Sequence, residues 1–271
     1  RLGYADNFLK AATLCGGDWV AFSDQDDVWL PDKLKLAEER IIENPSVFLI
    51  LQNAIITDEA LNDKGGLFPN RIKPGFYQRF TQNGFWVWVG FLQTVNASIF
   101  KDFDCVKRPL NSTPRGKIMA HDKWVCMIAN VVGGIEVLSD PVAMYRRHSG
   151  AVTGSYDDTT FSSQAKLSLS YGEDHYLYMS NVARGISEYF FRHQSLVGRA
   201  AEDATRKYED LADRYRSRAD FYSENNLKGR VNKFMKVAAR SGYLGDRFSS
   251  FGVKALAKDL YTLVLGSKAG H

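Results

Sequence analysis

From Asn7 to Cys15 the apolar residues Phe8, Ala11, Ala12 and Cys15 recur at helical spacing, and Gly16-Gly17 stops the pattern. "DWVAF" follows as a short buried strand that runs directly into an acidic stretch, "SDQDD". Pro31 opens a second helix, with Leu34, Leu36, Ala37, Ile41 and Ile42 supplying its apolar spacing up to Asn44-Pro45. "VFLILQNAIIT" is then a second strand region. Strand, helix, strand in this order predicts a parallel α/β unit.

Further on, the segment from Asp58 to Pro74 is rich in Gly and Asn and reads as loop, or as a hairpin turning at Asp63-Lys64-Gly65-Gly66. "FWVWVGFLQTVNASIF" is strand-like at its start, with Trp86 and Trp88 on one side. "IMAHDKWVCMIANVV" has helical spacing and ends at Gly133-Gly134, and "IEVLSDPVAMYRRH" is another strand region. Beyond Asp158 the pattern changes. "HYLYMSNVARGISEYFFRH" and "AEDATRKYEDLADRYRSRADFY" are amphipathic or heavily charged at helical period, with no clear strands. An α/β domain over residues 1–158 and a helical C-terminal region over 159–271 are expected.

Composition changes this picture little. Of 271 residues, 45% are apolar and 24% charged, the balance of an ordinary globular protein. A net charge of +4 is too small to argue for nucleic acid. Its placement matters more: from Lys228 onward, nine basic residues face only Asp246 and Asp259. The three cysteines, Cys15, Cys105 and Cys126, are widely spaced and form no C-x-x-C pair. They argue for a reducing compartment and against a disulfide frame or zinc site. A cytoplasmic protein is expected.

The acidic stretch carries the candidate chemistry. Asp24, Asp26 and Asp27 repel one another, so their clustering calls for a cation or a helix end. The end of a strand in an α/β sheet is where loops diverge and ligands bind, and three hard oxygen donors there suit Mg2+ or Mn2+. An EF-hand is excluded, because Trp29 and Lys35 stand where its Gly and Glu belong. An aspartate-nucleophile phosphatase of the haloacid dehalogenase type is imitated in part by "VAFSDQDDV", although Asp27 stands where that family has Thr or Gly.

"FSDQDDVWLPDKL", preceded by "GYADNFLKAATLCGGDWVAF", resembles the family 2 glycosyltransferases of the GT-A fold, and in particular their bacterial rhamnosyltransferase-like members. The resemblance runs from Leu2 to Thr153. It implies a Rossmann-like, mostly parallel sheet whose first strands lie upstream of Arg1, so an N-terminally truncated enzyme is expected. It also implies an inverting, metal-dependent transfer of a hexosyl or rhamnosyl group in bacterial cell-surface polysaccharide biosynthesis. The donor would be a nucleotide-diphosphate sugar of dTDP or UDP type, and the acceptor a saccharide or lipid-linked sugar.

On the same resemblance, Asp24 faces the ribose, Asp26 binds the metal and Asp27 flanks it. "MAHDKW" supplies Asp122 as general base, with His121 and Trp124 shaping the acceptor side. For Trp124 a place in the core is an equal alternative. In "YRRH", His148 completes the metal site, and Arg146 and Arg147 meet the diphosphate. Gly90 and Gln93 fall in the segment that receives the acceptor. In the basic tail, "GRVNKFMKVAAR" sets Val231, Phe234, Met235 and Ala238 on one face, which fits either peripheral contact with an anionic membrane or packing on the core. A sugar-binding module without catalysis is the non-enzymatic alternative.

Overall fold

The computed structural model describes residues 2–69, 72–147, 168–240 and 242–265. The chain divides into two compact units, one of Arg1–Arg108 with Met119–Ser155, the other of Pro109–Ile118 with Tyr156–His271. Among the described residues no helix is long and apolar enough to cross a membrane.

In the first unit the order is α1 (Tyr4–Leu14), β1 (Trp19–Ala21), β2 (Val28–Trp29), α2 (Lys33–Glu43), β3 (Leu49–Thr57), β4 (Asp63–Phe68), β5 (Gly75–Tyr77), β6 (Gln93–Asn96), α3 (Ile99–Asp102), α4 (His121–Val132) and β7 (Ile135–Arg146). Leu9 and Ala12 are the positions that α1 buries, whereas Cys15 is exposed. Ala37 is the buried apolar position of α2, and Leu34 and Ile42 face solvent.

The sheet is mixed, not mostly parallel. Its order is β1-β6-β3-β7-β2, with β4 added on β3 and β5 on β7. β6 lies between β1 and β3 and is antiparallel to both, so β1 and β3 do run the same way without touching. Among the described strands the β3–β7 ladder is the parallel one. It is interrupted near Asn53 and Pro141, where Pro has no N–H to give the ladder. Asn53 repairs the break, its amide donating to the carbonyls of Leu138 (3.1 Å) and Ser139 (3.4 Å). β7 can then pair with β5 before the break and with β2 after it.

The turn expected at Asp63–Gly66 lies earlier. Asp58 accepts from the N–H groups of Ala60 and Asn62, an Asx-type turn, and Leu61 takes a positive φ of 66°. Gly65 and Gly66, with φ of 77° and 88°, form an irregular stretch inside β4, where the register with β3 moves from Thr57↔Asp63 to Ile55↔Leu67.

The core closes around β3 and α4. Leu49, Ile50 and Leu51 are fully buried, and so is every residue of α4 from Trp124 to Val131. Each large apolar side chain in this group contributes roughly 1.5–3 kcal/mol of burial. Asn130 is the polar exception, and it bonds to Gln82 in both directions, donating to the carbonyl at 3.0 Å and accepting from the N–H at 3.2 Å.

The second unit contains α5 (Glu173–Arg192), α6 (Gln194–Val197), α7 (Arg199–Tyr222), α8 (Leu227–Ala239) and α9 (Gly252–Leu265). Ser180 donates to the Ala212 carbonyl and Ser187 to that of Thr205, a pairing that sets α5 and α7 antiparallel. Ala183, Ala201, Ala204 and Ala212 are all buried, small enough to let the two helices approach. The segment 109–118 joins this unit through Tyr178, whose hydroxyl donates to the Asn111 carbonyl at 2.6 Å and accepts from Gly116 N–H at 2.9 Å.

Candidate functional site

β1 delivers the chain to the site. Phe22, 3% exposed, anchors its end, and Phe22 N–H donates to Gln93 O at 3.2 Å, extending the β1–β6 ladder. The chain then turns at Gln25-Asp26 and re-enters the sheet as β2, pairing Val28 with Met144. This turn folds Asp24, Asp26 and Asp27 onto one another. One oxygen from each lies within 4.8 Å of the others.

The last carboxylate is tied to the far end of the fold. Arg146 N–H, at the end of β7, donates to Asp27 Oδ1 at 3.0 Å. Burial pushes the Asp27 carboxyl up to about 7; Asp26 and Asp24 add to this, and the Arg146 N–H and guanidinium oppose it. Burial likewise raises Asp24 to about 6, helped by the charges of Asp26 and Asp122. Three carboxylates thus crowd one turn, and the Arg146 N–H and guanidinium offset part of the charge at Asp27. Hard oxygen donors at this spacing fit a divalent cation such as Mg2+ or Mn2+.

Asp122 sits half-buried in the first turn of α4, close enough to Asp24 to raise that carboxyl. Its own pKa is raised by burial, against the Lys123 N–H, which bonds Oδ1 at 2.8 Å, and the Lys123 charge. Gln93 holds the same turn from β6, its amide donating to Trp88 O at 2.6 Å and to Asp122 O at 3.2 Å. Gln93 is 0% exposed, and its amide is taken up by these two carbonyls inside the core.

Three more residues expected on the acceptor side are buried, and for Trp124 this is the core alternative. Trp124 is 0% exposed and packs against Phe100 at 6.0 Å; its ring has no face open to a sugar. His121 is 5% exposed, stacked on Phe8 at 4.4 Å and edge-on to Phe22 at 5.0 Å. Among the described residues neither of its ring nitrogens has a hydrogen-bond partner. Burial lowers its pKa to about 4, with Arg108 adding to the effect, so it is a neutral core residue. Gly90 is buried against that ring and leaves no room for a side chain.

Arg146 and Arg147 are half-buried at the end of β7; Arg146 Nε is buried with no partner among the described residues, and Arg147 N–H donates to Thr57 O at 3.0 Å. His148 lies outside the described residues.

Two residues near the site carry no role in the sequence reading. Lys33 is 1% exposed at the start of α2, donating to Gln52 Oε1 (2.9 Å) and Phe91 O (3.1 Å) and lying 5.0 Å from the Trp29 ring. Burial lowers its pKa to about 8, and the Asp27 charge opposes this. A lysine in the first turn of a helix, where the macrodipole disfavours cations, is the signal that marks it in sequence. Tyr4 is 63% exposed and edge-on to His121, the neighbour of Asp122, at 6.2 Å; burial of its hydroxyl and the Asp122 charge raise its pKa.

Comparison with known families bears on this arrangement. Residues 1–105 match the model of glycosyl transferase family 2. The match supports a glycosyltransferase domain, and it contains the acidic turn, Lys33, Gly90 and Gln93 while ending before Asp122. The α/β architecture with a mixed sheet and a helical C-terminal region is consistent with the GT-A type of fold. Among curated proteins none matches the chain.

Proposed function

We propose that the first unit is an inverting, metal-dependent glycosyltransferase that moves a sugar from a dTDP- or UDP-type donor to a saccharide or lipid-linked acceptor. The observation that supports it is the convergence of Asp24, Asp26 and Asp27 within 4.8 Å, with Asp122 close enough to Asp24 to raise its pKa.

In this reading Asp24 takes the ribose, and Asp26 and Asp27 hold the cation, with His148 as a further ligand. A bound divalent cation offsets the charge on the diphosphate leaving group. Arg146 and Arg147 pair with the diphosphate oxygens, and the unpartnered buried Nε of Arg146 supports its part. Asp122 removes the proton from the acceptor hydroxyl as that oxygen attacks the anomeric carbon. The diphosphate departs from the opposite face with the bonding electrons, which inverts the centre. A raised pKa makes Asp122 a stronger base once ionised. Tyr4, exposed beside Asp122, takes the place of Trp124 as the aromatic surface for the acceptor. Transfer of rhamnose in bacterial surface polysaccharide assembly, at the inner face of the membrane, is the pathway this reading favours. The free thiols Cys15, Cys105 and Cys126 accord with a cytoplasmic setting.

The experiment is turnover of a panel of dTDP- and UDP-sugars, by hydrolysis or transfer, in wild type and Asp122→Asn. Loss of about 10²–10⁴-fold in kcat with little change in donor KM is expected for removal of a general base. Undiminished turnover by Asp122→Asn would remove that residue from the chemistry.

A further inference from the structure

We propose that the outward face of α9 docks on the surface of an anionic lipid bilayer. The helix packs Ala255, Leu256 and Leu263 against the core of the second unit and buries polar side chains beside them. Its inward face carries Lys258, Asp259 and Thr262, all buried. Lys258 Nζ donates to the carbonyls of Ser168 and Tyr171, both at 2.6 Å, and to Tyr176 Oη at 3.0 Å. Asp259 is 0% exposed and accepts two bonds from Arg218 at 2.8 Å, one from Tyr222 at 2.7 Å and one from Tyr243 at 2.6 Å. These contacts fix the rotation of the helix about its axis.

What that rotation leaves outside is an apolar stripe with Lys254 beside it. Val253, Leu260, Tyr261 and Val264 are 67%, 44%, 50% and 75% exposed, and Ala257 between them is exposed too. Positions 253, 257, 260, 261 and 264 lie on one helical stripe. On α8, Leu227, Val231 and Met235 form a second exposed stripe at 58%, 40% and 59%. Phe234, expected on the same face as Val231 and Met235, is turned into the core instead.

Charge selects the occupant. The exposed charged residues of the two helices are Lys228, Lys236 and Lys254, and neither helix exposes a carboxylate. A second copy of the same face would bring these cations together. Anionic headgroups would meet them, while the apolar side chains enter the acyl boundary and the Tyr261 hydroxyl stays at the polar level.

The inference is independent of the transferase reading, because its readout is vesicle binding and not turnover; where both hold, the docked enzyme meets a lipid-linked acceptor. The test is cosedimentation of the whole chain with vesicles of phosphatidylglycerol and phosphatidylcholine, against phosphatidylcholine alone, at low and high salt. Binding to the anionic vesicles is expected to weaken in high salt and to fall about tenfold or more in Leu260→Glu/Val264→Glu, whose helix content and melting stay as in wild type. Equal binding by wild type and variant would overturn the proposal. So would absence of binding, or a dimer seen by sedimentation that the same variant abolishes.

Discussion

A Cβ at position 90 would lie 2.5 Å from the Nε2 of His121. The two residues were expected to meet an acceptor, and they meet each other in the core. Gly90→Ala should therefore destabilise the first unit by roughly 1–3 kcal/mol, the range for overpacking. In the double variant with His121→Ala, the cost of the alanine at 90 should largely vanish. Urea denaturation of the four proteins of this cycle measures the coupling, and strict additivity would contradict the contact.

The same histidine gives the fold a pH dependence. Its pKa is about 4 in the folded chain and near 6.5 when free, because burial and Arg108 disfavour the cation. A depressed folded value means that stability is complete above about 6.5 and is lost as pH falls through 4. The loss approaches about 3 kcal/mol at ~1.4 kcal/mol per pH unit. His121→Leu removes two unpartnered nitrogens, so it should be neutral or stabilising at pH 7.5 and should flatten the decline between pH 6.5 and 4. Parallel declines in the two proteins would show that another group is responsible.

Lys33→Met deletes the donor to Gln52 Oε1 and Phe91 O. Each stranded acceptor costs about 1–3 kcal/mol, so a clear drop in the denaturation midpoint is expected. An unchanged midpoint would mean that these bonds contribute nothing net.

In the second unit, Asp259→Asn leaves the Arg218 guanidinium, 6% exposed, without its counter-charge. Breaking a buried pair from one side costs about 3–5 kcal/mol, and calorimetry should show the loss in this unit's transition. A variant as stable as wild type would contradict the dependence on that pair.

The elements with a continuous local pattern were legible in sequence. α4 and β7 fall where "HDKWVCMIANVV" and "IEVLSDPVAMYR" place them, and the acidic turn follows β1 as read. What escaped depends on distant contacts. β6 slips between β1 and β3, and nothing in "QTVN" states its neighbours. His121 and Trp124 flank Asp122 in "HDKW", and the string does not say that only the middle residues look outward. Burial of Trp124 comes from Phe100, and that of His121 from Phe8 and Phe22. The helix-start position of Lys33 marks it as unusual, but its partners Gln52 and Phe91 lie far along the chain and no local pattern names them.

The central claim is that the turn after the first strand grips a nucleotide diphosphate through a metal ion. Calorimetric titration of UDP and dTDP into the protein, with Mn2+ and with chelator, tests it in wild type and Asp26→Asn. The account predicts binding that requires Mn2+ and is lost in the variant. Nucleotide binding indifferent to both chelator and Asp26→Asn would contradict it.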